Sequence, residues 1–188
     1  MTWMQDLWGC IRDIHRQDWQ KIPGAALVAT ILFGLAVAYF ANSGSHWVFP
    51  LDHANLAFHE FGHPLFGSIN WRLGVYGGTL GQLIFPLLTA CVFWGRREAP
   101  SFAACAIWFF ENFFNISRYM ADARAHQLPL VGGMDPELAH DWTEIFVRWG
   151  LLKHDIGISR ITAILGWAGV VAIVIWLAVV WNRQRDDA

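Results

Sequence analysis

The chain has 188 residues, of which 55% are hydrophobic and 15% are charged, so it is more apolar and less charged than an ordinary soluble domain. Its formal net charge is −2 and it has no basic run, which argues against nucleic acid as a partner. This composition is typical of a membrane protein, and together with the apolar runs below it predicts an all-α fold, a polytopic membrane helix bundle forming a single domain over 1–188 in the lipid bilayer.

Residues 1–22 are predicted to form a helix that lies in the membrane interface. Four apolar residues recur there at helical spacing among charged ones: Trp3, Leu7, Ile11 and Ile14. Residues 23–41 are the first apolar run long enough to cross a hydrocarbon core of about 30 Å, which takes roughly 20 helical residues. Because a charged stretch precedes this run, we expect it to remain as an anchor and not to be cleaved as a signal peptide.

Three further apolar runs predict transmembrane helices at 73–94, 100–117 and 161–181, which makes four spans in all. Tryptophans near the ends of the runs are typical of anchors at the lipid headgroups: Trp19, Trp47, Trp71, Trp94 and Trp181. Four glycines open the second span, and they either allow close helix packing or leave an irregular edge for an extended peptide: Gly74, Gly77, Gly78 and Gly81.

Basic residues flank the predicted spans on one side, and they predict that both termini are cytoplasmic: Arg12, Arg16, Lys21, Arg96, Arg97, Arg183 and Arg185. The segments 42–72 and 118–160 then share the extracytoplasmic face, as in a protein of the bacterial inner membrane. The alternative is that 51–69 forms a fifth complete crossing, which would place Arg96 and Arg97 outside, against the charge rule.

The segment 51–69 contains the motif His-Glu-Phe-Gly-His. Side chains four residues apart share one helix face, so His59 and His63 are candidate zinc ligands. Glu60 points aside and is the candidate general base for a metal-bound water. Two imidazoles and a carboxylate in an apolar segment are costly unless they are paired or bound to a metal, so we expect Zn²⁺ here.

A catalytic zinc site needs a third protein ligand and an open position for water. The third predicted span carries a polar stripe at helical spacing, which should face the bundle interior: Glu111, Asn112, Asn115, Arg118, Tyr119, Asp122 and His126. Asp122, at its outer end, is the preferred third ligand. His126 one turn later and Glu111 deeper in the span compete with it.

The loop 118–160 contains a short amphipathic helix predicted at 136–149, with Asp135 as N-cap and Gly150 just past its end. We expect this helix to lie on the membrane surface over the site. His140 and Asp141 lie on it, and three roles are open for them. They could be a solvated face, partners that orient His59 or His63, or the third metal ligand in place of Asp122.

With HExxH in an apolar segment of a polytopic protein, the chain resembles the site-2-protease class of intramembrane zinc metallopeptidases and their small, poorly characterised membrane relatives. The resemblance implies that His59 and His63 bind zinc, that Glu60 is the general base, and that an aspartate on a later helix completes the site. In that class the aspartate lies in a Leu-Asp-Gly or Asn-Pro-Asp-Gly setting, which this sequence lacks. Asp122 is the best substitute.

The implied function is hydrolysis of peptide bonds in membrane proteins or peptides by Glu60-assisted attack of zinc-bound water. One alternative is a non-catalytic metal-binding membrane subunit or chaperone, working within a membrane protein complex. Another is a di-iron membrane oxygenase, since carboxylates and histidines also suit iron. Only His59 and His63 are closely paired among the eight histidines, however, which favours the single-zinc hydrolase.

Overall fold

The computed structural model describes residues 2–43, 47–129, 131 and 139–186. This part of the chain is helical and contains no strand. Its helices are α1 (Thr2–Arg16), α2 (Gly24–Asn42), α3 (Leu51–Ile69), α4 (Gly74–Gly95), α5 (Ala99–Ala121), α6 (Asp141–Trp149) and α7 (Asp155–Asp186). Short 3₁₀ turns, Trp71–Leu73 and Leu152–His154, lead into α4 and α7.

Three helices in the described ranges, not the four predicted, are long and apolar enough to cross a membrane. They are α2, α4 with its preceding turn, and α7 with its preceding turn. The predicted span 100–117 lies within α5, where Glu111, Asn112 and Asn115 lower the hydropathy. Glu111 and Asn112 are almost fully buried, because α5 packs against α2, α4 and α7. A helix enclosed by other helices can carry polar groups that a lipid-facing helix cannot.

Segments with basic flanks meet at one end of the bundle. The Gln184 carboxamide accepts a hydrogen bond from the backbone N–H of Ile22 at 2.9 Å and donates one to the carbonyl of Trp19 at 3.0 Å. The Arg97 guanidinium lies 3.9 Å from the centre of the Trp19 ring. The backbone N–H of Gln20 donates to the carbonyl of Arg97 at 2.9 Å. The start of α2, the α4–α5 turn and the end of α7 therefore share one end.

Glycines allow α3 and α4 to pack with their backbones in contact. A Cβ atom added to Gly62 would lie 1.9 Å from the carbonyl oxygen of Gly77, and one added to Gly81 would lie 2.2 Å from that of Phe58. The Phe58 ring stacks on Phe85 with a centroid distance of 3.9 Å. Helix α3 therefore runs along the first half of α4, and glycine here serves close helix packing.

A buried polar network joins α3 to α5. Asn55 Nδ2 donates to Glu111 Oε2 at 2.6 Å, and Trp108 Nε1 donates to Asn55 Oδ1 at 2.7 Å. Asn115 Nδ2 donates to Glu111 Oε1 at 2.7 Å and also to Asp52. Asp52 and Asn55 are each 2% exposed, so these bonds replace water for groups on both helices. The network fixes the rotation of α3 about its axis, and therefore the direction of its histidines.

The apolar face of α6 packs against protein, and the position of this helix on the membrane surface stays a prediction. Trp142, Ile145 and Phe146 are buried and form a cluster with Ile116 and Met120 of α5. The C-terminal end of α5 supplies an apolar surface that this face covers. Gly150 ends the helix in the left-handed conformation at φ 68°. The predicted start of the helix at Asp135 and Pro136 lies outside the described residues.

The N-terminal helix α1 carries an apolar face that no other described helix covers. Four of its large apolar side chains are exposed: Trp3, Leu7, Trp8 and Ile11.

Candidate metal centre

The imidazoles of His59 and His63 lie side by side on α3 and converge on the carboxylate of Asp141. The Nε2 atoms of His59 and His63 are 3.0 Å and 3.3 Å from Asp141 Oδ2. One ligand atom from each residue can be chosen so that all three lie within 4.8 Å of one another. It is the sole group of three or more potential metal ligands among the described residues.

The start of helix α6 places Asp141 beside His59 and His63. Asp141 is the first residue of the helix, and its backbone N–H donates to the Tyr119 hydroxyl at 3.2 Å. His140 caps the helix, because its Nδ1 accepts a hydrogen bond from the backbone N–H of Thr143 at 3.2 Å. The Thr143 hydroxyl donates to the carbonyl of Ala123 at 2.5 Å. The end of α5 therefore holds the start of α6 and fixes the Asp141 carboxylate beside α3.

The donor directions at His63 suit a bound cation. Its Nδ1 lies 2.8 Å from the carbonyl oxygen of Gly74, which can only accept a hydrogen bond, so Nδ1 carries a proton. In the neutral imidazole the Nε2 lone pair then faces Asp141. Such an outer hydrogen bond is the usual way in which a protein fixes the tautomer and orientation of a metal-binding histidine.

Asp141 Oδ2 is buried, and its close neighbours are the two imidazole Nε2 atoms, which can donate a hydrogen bond to it only when they carry a proton. A buried carboxylate oxygen without a hydrogen bond is costly. The separations of 3.0 Å and 3.3 Å are close to the spacing of about 3.3 Å between ligands that each lie about 2 Å from a tetrahedral zinc ion. Two imidazole nitrogens and one carboxylate oxygen, all within 4.8 Å of one another, are therefore close enough to hold one metal ion.

Without a cation, the same contacts shift the protonation of these groups. The Asp141 carboxylate, at hydrogen-bonding distance, is the largest cause that raises the pKa of His63, to about 9, and burial opposes it. Burial raises the pKa of Asp141, but the two neighbouring imidazoles outweigh it and the pKa is lowered. Asp141 is therefore an anion that a cation must neutralise, either a proton on an imidazole or a metal ion.

Gly78 makes room for the His59 ring against α4. A Cβ atom at this position would lie 2.5 Å from both Cε1 and Nε2 of that ring. His59 is 9% exposed, and the Tyr119 ring is packed 5.9 Å from it on the other side. The ring is thus confined between α4 and α5, and its nitrogen can point toward Asp141 without a large entropic cost.

A cleft of about 380 Å³ opens beside His59. Glu60 lines the cleft together with His59, and its side chain is exposed. The cleft is also lined by Leu56, Tyr119 and Leu128. Glu60 is therefore not a third ligand of the histidine pair, and its carboxylate is open to a molecule in the cleft.

The structure brings Asp141, and not Asp122, to the two imidazoles. Helix α5 ends at Ala121, and the Asp122 carboxylate accepts hydrogen bonds from the backbone N–H groups of Gln127 at 2.8 Å and Leu128 at 3.0 Å. His140 Nε2 lies 3.5 Å from Asp122 without a hydrogen bond. Asp122 therefore organises the loop after α5.

His126, His140 and Glu111, the remaining candidates for the third ligand, lie away from the histidine pair. His126 Nε2 lies 3.0 Å from the Thr143 hydroxyl. The His140 side chain is fully buried, its Nδ1 caps α6, and burial lowers its pKa. Glu111 bonds to Asn55 and Asn115 in the network between α3 and α5. Because each of these groups has a local partner, Asp141 is the candidate that joins the pair.

No known protein family, curated protein or solved structure matches this chain.

Proposed function

We propose that this chain is a membrane-embedded zinc metallopeptidase that hydrolyses peptide bonds of membrane-associated substrates. The observation that carries the proposal is the convergence of His59, His63 and Asp141 beside a cleft lined by Glu60. This arrangement supplies three ligands, a separate carboxylate for proton transfer and space for a substrate. It is the arrangement that the resemblance to the site-2-protease class implies, with Asp141 in the place expected for Asp122.

Each residue of the site has a role in this chemistry. Zinc, when bound, polarises a peptide carbonyl and lowers the pKa of a coordinated water toward about 7. Glu60 accepts the proton of the attacking water and returns it to the leaving amine. The Gly74 carbonyl holds His63 by its Nδ1, and Tyr119 holds the backbone of Asp141. These contacts keep the ligands in place while the substrate binds and leaves.

The proposed orientation has both termini in the cytoplasm of a bacterial cell and the metal centre toward the extracytoplasmic side of the inner membrane. Arg97, the start of α2 and the end of α7 share one end of the bundle. Gly78, which contacts His59, is about 28 Å farther along α4 at 1.5 Å per residue. In this arrangement α5 is the fourth crossing, enclosed by the others, and α3 enters the membrane only alongside the first half of α4.

The competing function is a metal-binding membrane subunit or chaperone that uses the site for structure alone. It needs the three ligands but not an exposed Glu60 in a cleft, and this feature favours the peptidase. A di-iron oxygenase needs ligands for a second metal, and the described residues contain no second cluster of three ligands. We therefore rank it third.

The test compares the wild-type protein with Glu60→Gln, both purified with zinc. They are incubated in detergent with solubilised bacterial membrane proteins, and new peptide termini are identified by mass spectrometry. We expect both proteins to hold zinc and only the wild type to create new termini, because glutamine cannot accept the proton from water. Glu144→Gln, an exposed substitution on α6, is the matched control and should cleave like wild type. Equal cleavage by wild type and Glu60→Gln, or none by either, contradicts the proposal.

A further inference from the structure

The Gln82 side chain is a largely buried amide that forms no hydrogen bond within the described part of the protein. It lies on α4, one helical turn after Gly78, and lines the same cleft as His59 and Glu60. Gln82 is 7% exposed, and its carboxamide has no hydrogen bond with any described residue. A carboxamide has two donor hydrogens and an acceptor oxygen, and those of Gln82 open to the cleft, where only water or a ligand can satisfy them.

The neighbouring amides of the cleft do not share this property. Asn55 donates to Glu111 at 2.6 Å and accepts from Trp108 at 2.7 Å. Asn115 is likewise bonded to Glu111 and Asp52. These two amides hold α3 and α5 together, so they are not available to a ligand. The carboxamide of Gln82 is left to bind whatever occupies the cleft.

The chemistry of Gln82 matches a peptide main chain. An extended peptide has backbone N–H and C=O groups without partners, and each must be satisfied when water is displaced. A carboxamide can accept from one N–H and donate to one C=O at the same time. The apolar cleft residues Leu56, Leu128, Pro129 and Val131 can cover apolar side chains of such a peptide.

We infer that Gln82 binds the main chain of an extended apolar peptide next to the bond that is cleaved. This inference rests on the proposed peptidase function and adds a binding residue and a substrate conformation to it. Gln82 touches the peptide backbone and not its side chains. It therefore holds the chain in register with His59 and Glu60 without selecting a particular sequence.

The experiment uses two zinc-directed compounds that differ only in the presence of a peptide. Acetohydroxamate chelates the metal and has no peptide main chain, whereas the hydroxamate of N-acetyl-leucyl-leucine adds one. Binding of both is measured by calorimetry for zinc-loaded wild type, Gln82→Met and the control Thr89→Val. Thr89 is on the same helix, outside the cleft, and its hydroxyl donates to the carbonyls of Phe85 and Pro86.

We expect Gln82→Met to bind the dipeptide hydroxamate about 5-fold to 150-fold more weakly than wild type, because one or two peptide groups lose their partner. Acetohydroxamate should bind both proteins equally, and Thr89→Val should match wild type for both compounds. Wild type should also discriminate against a dipeptide hydroxamate that is N-methylated at its inner amide, which tests the contact without a substitution.

The outcomes separate the two proposals. If wild type binds neither hydroxamate, the metallopeptidase proposal fails and the inference fails with it. If acetohydroxamate binds normally but Gln82→Met keeps full affinity for the dipeptide compound, or wild type ignores N-methylation, only the inference about Gln82 is overturned. A loss of both affinities in Gln82→Met also overturns it, since the residue would then support the metal centre itself.

Discussion

Replacing Gly78 with alanine tests whether the His59 ring is held in place for a metal ion. The added Cβ atom would lie 2.5 Å from Cε1 and Nε2 of the ring and 2.8 Å from Nδ1. Favourable contacts of this kind are about 3.5 Å, so the ring must move by about 1 Å. Zinc–ligand distances tolerate about 0.2 Å. We therefore expect zinc binding to weaken by about tenfold to a hundredfold, although no ligand is removed.

The matched control is Gly95→Ala at the other end of the same helix. A Cβ atom there would meet nothing within 4 Å. Both substitutions add one methyl group to α4 and remove the same backbone freedom, so their effects on helix stability should be alike. Zinc affinity is measured by competition with a chromophoric chelator, and helix content by circular dichroism.

The predicted result is a Gly78→Ala protein with the helix content of the control and much weaker zinc binding. Equal zinc affinity in the two variants would contradict this prediction, because the His59 ring could then move by about 1 Å without weakening zinc binding. Such a result would mean that His59 is not a ligand.

Three further predictions concern packing, the buried network and pH. Gly77→Ala places a Cβ atom 2.3 Å from a carbonyl oxygen of α3 and should destabilise the fold by about 1–3 kcal/mol, seen as a lower thermal midpoint than that of Gly95→Ala. Asn55→Leu removes the bonds to Glu111 Oε2, which is buried, and to Trp108 Nε1, which is half-buried, and should cost at least about 2 kcal/mol. Asn42→Leu, which loses one exposed bond, should cost little, and equal midpoints would contradict this. The pKa of His63 is raised to about 9, and zinc requires the neutral imidazole. Zinc affinity should therefore rise by up to about tenfold per pH unit from pH 7 to pH 9 and then level off. A flat pH profile would argue against His63 as a ligand.

Local sequence patterns predict the helices of this chain well, but they do not predict which of them face lipid. Apolar runs define α2, α4 and α7, because hydropathy and helix length are local properties. Helix α5 has a similar length but depends on α3 to satisfy Glu111 through Asn55. That dependence is a tertiary contact, so the length of the 100–117 run does not show that this helix is enclosed by other helices.

The candidate metal centre likewise depends partly on local sequence and partly on tertiary contacts. Spacing of four residues places His59 and His63 on one face of α3, since both belong to one helix. The third group comes from a separate helix, and its position depends on how Tyr119 and His140 hold the start of α6. Asp122 has a carboxylate that could bind a metal and lies at the predicted outer end of its helix, but an aspartate after a helix often bonds to the backbone of the following loop. That preference was the signal in the sequence against its role as a ligand.

If one zinc ion is held by His59, His63 and Asp141, elemental analysis of gently purified protein will detect it. Wild type, Asp141→Ala and Asp122→Ala are compared by zinc content per chain and by affinity. We expect one zinc per chain in wild type and loss of zinc in Asp141→Ala. Asp122→Ala should retain zinc, with at most a weaker affinity. Iron in place of zinc, no metal in wild type, or loss of metal in Asp122→Ala with retention in Asp141→Ala would contradict it.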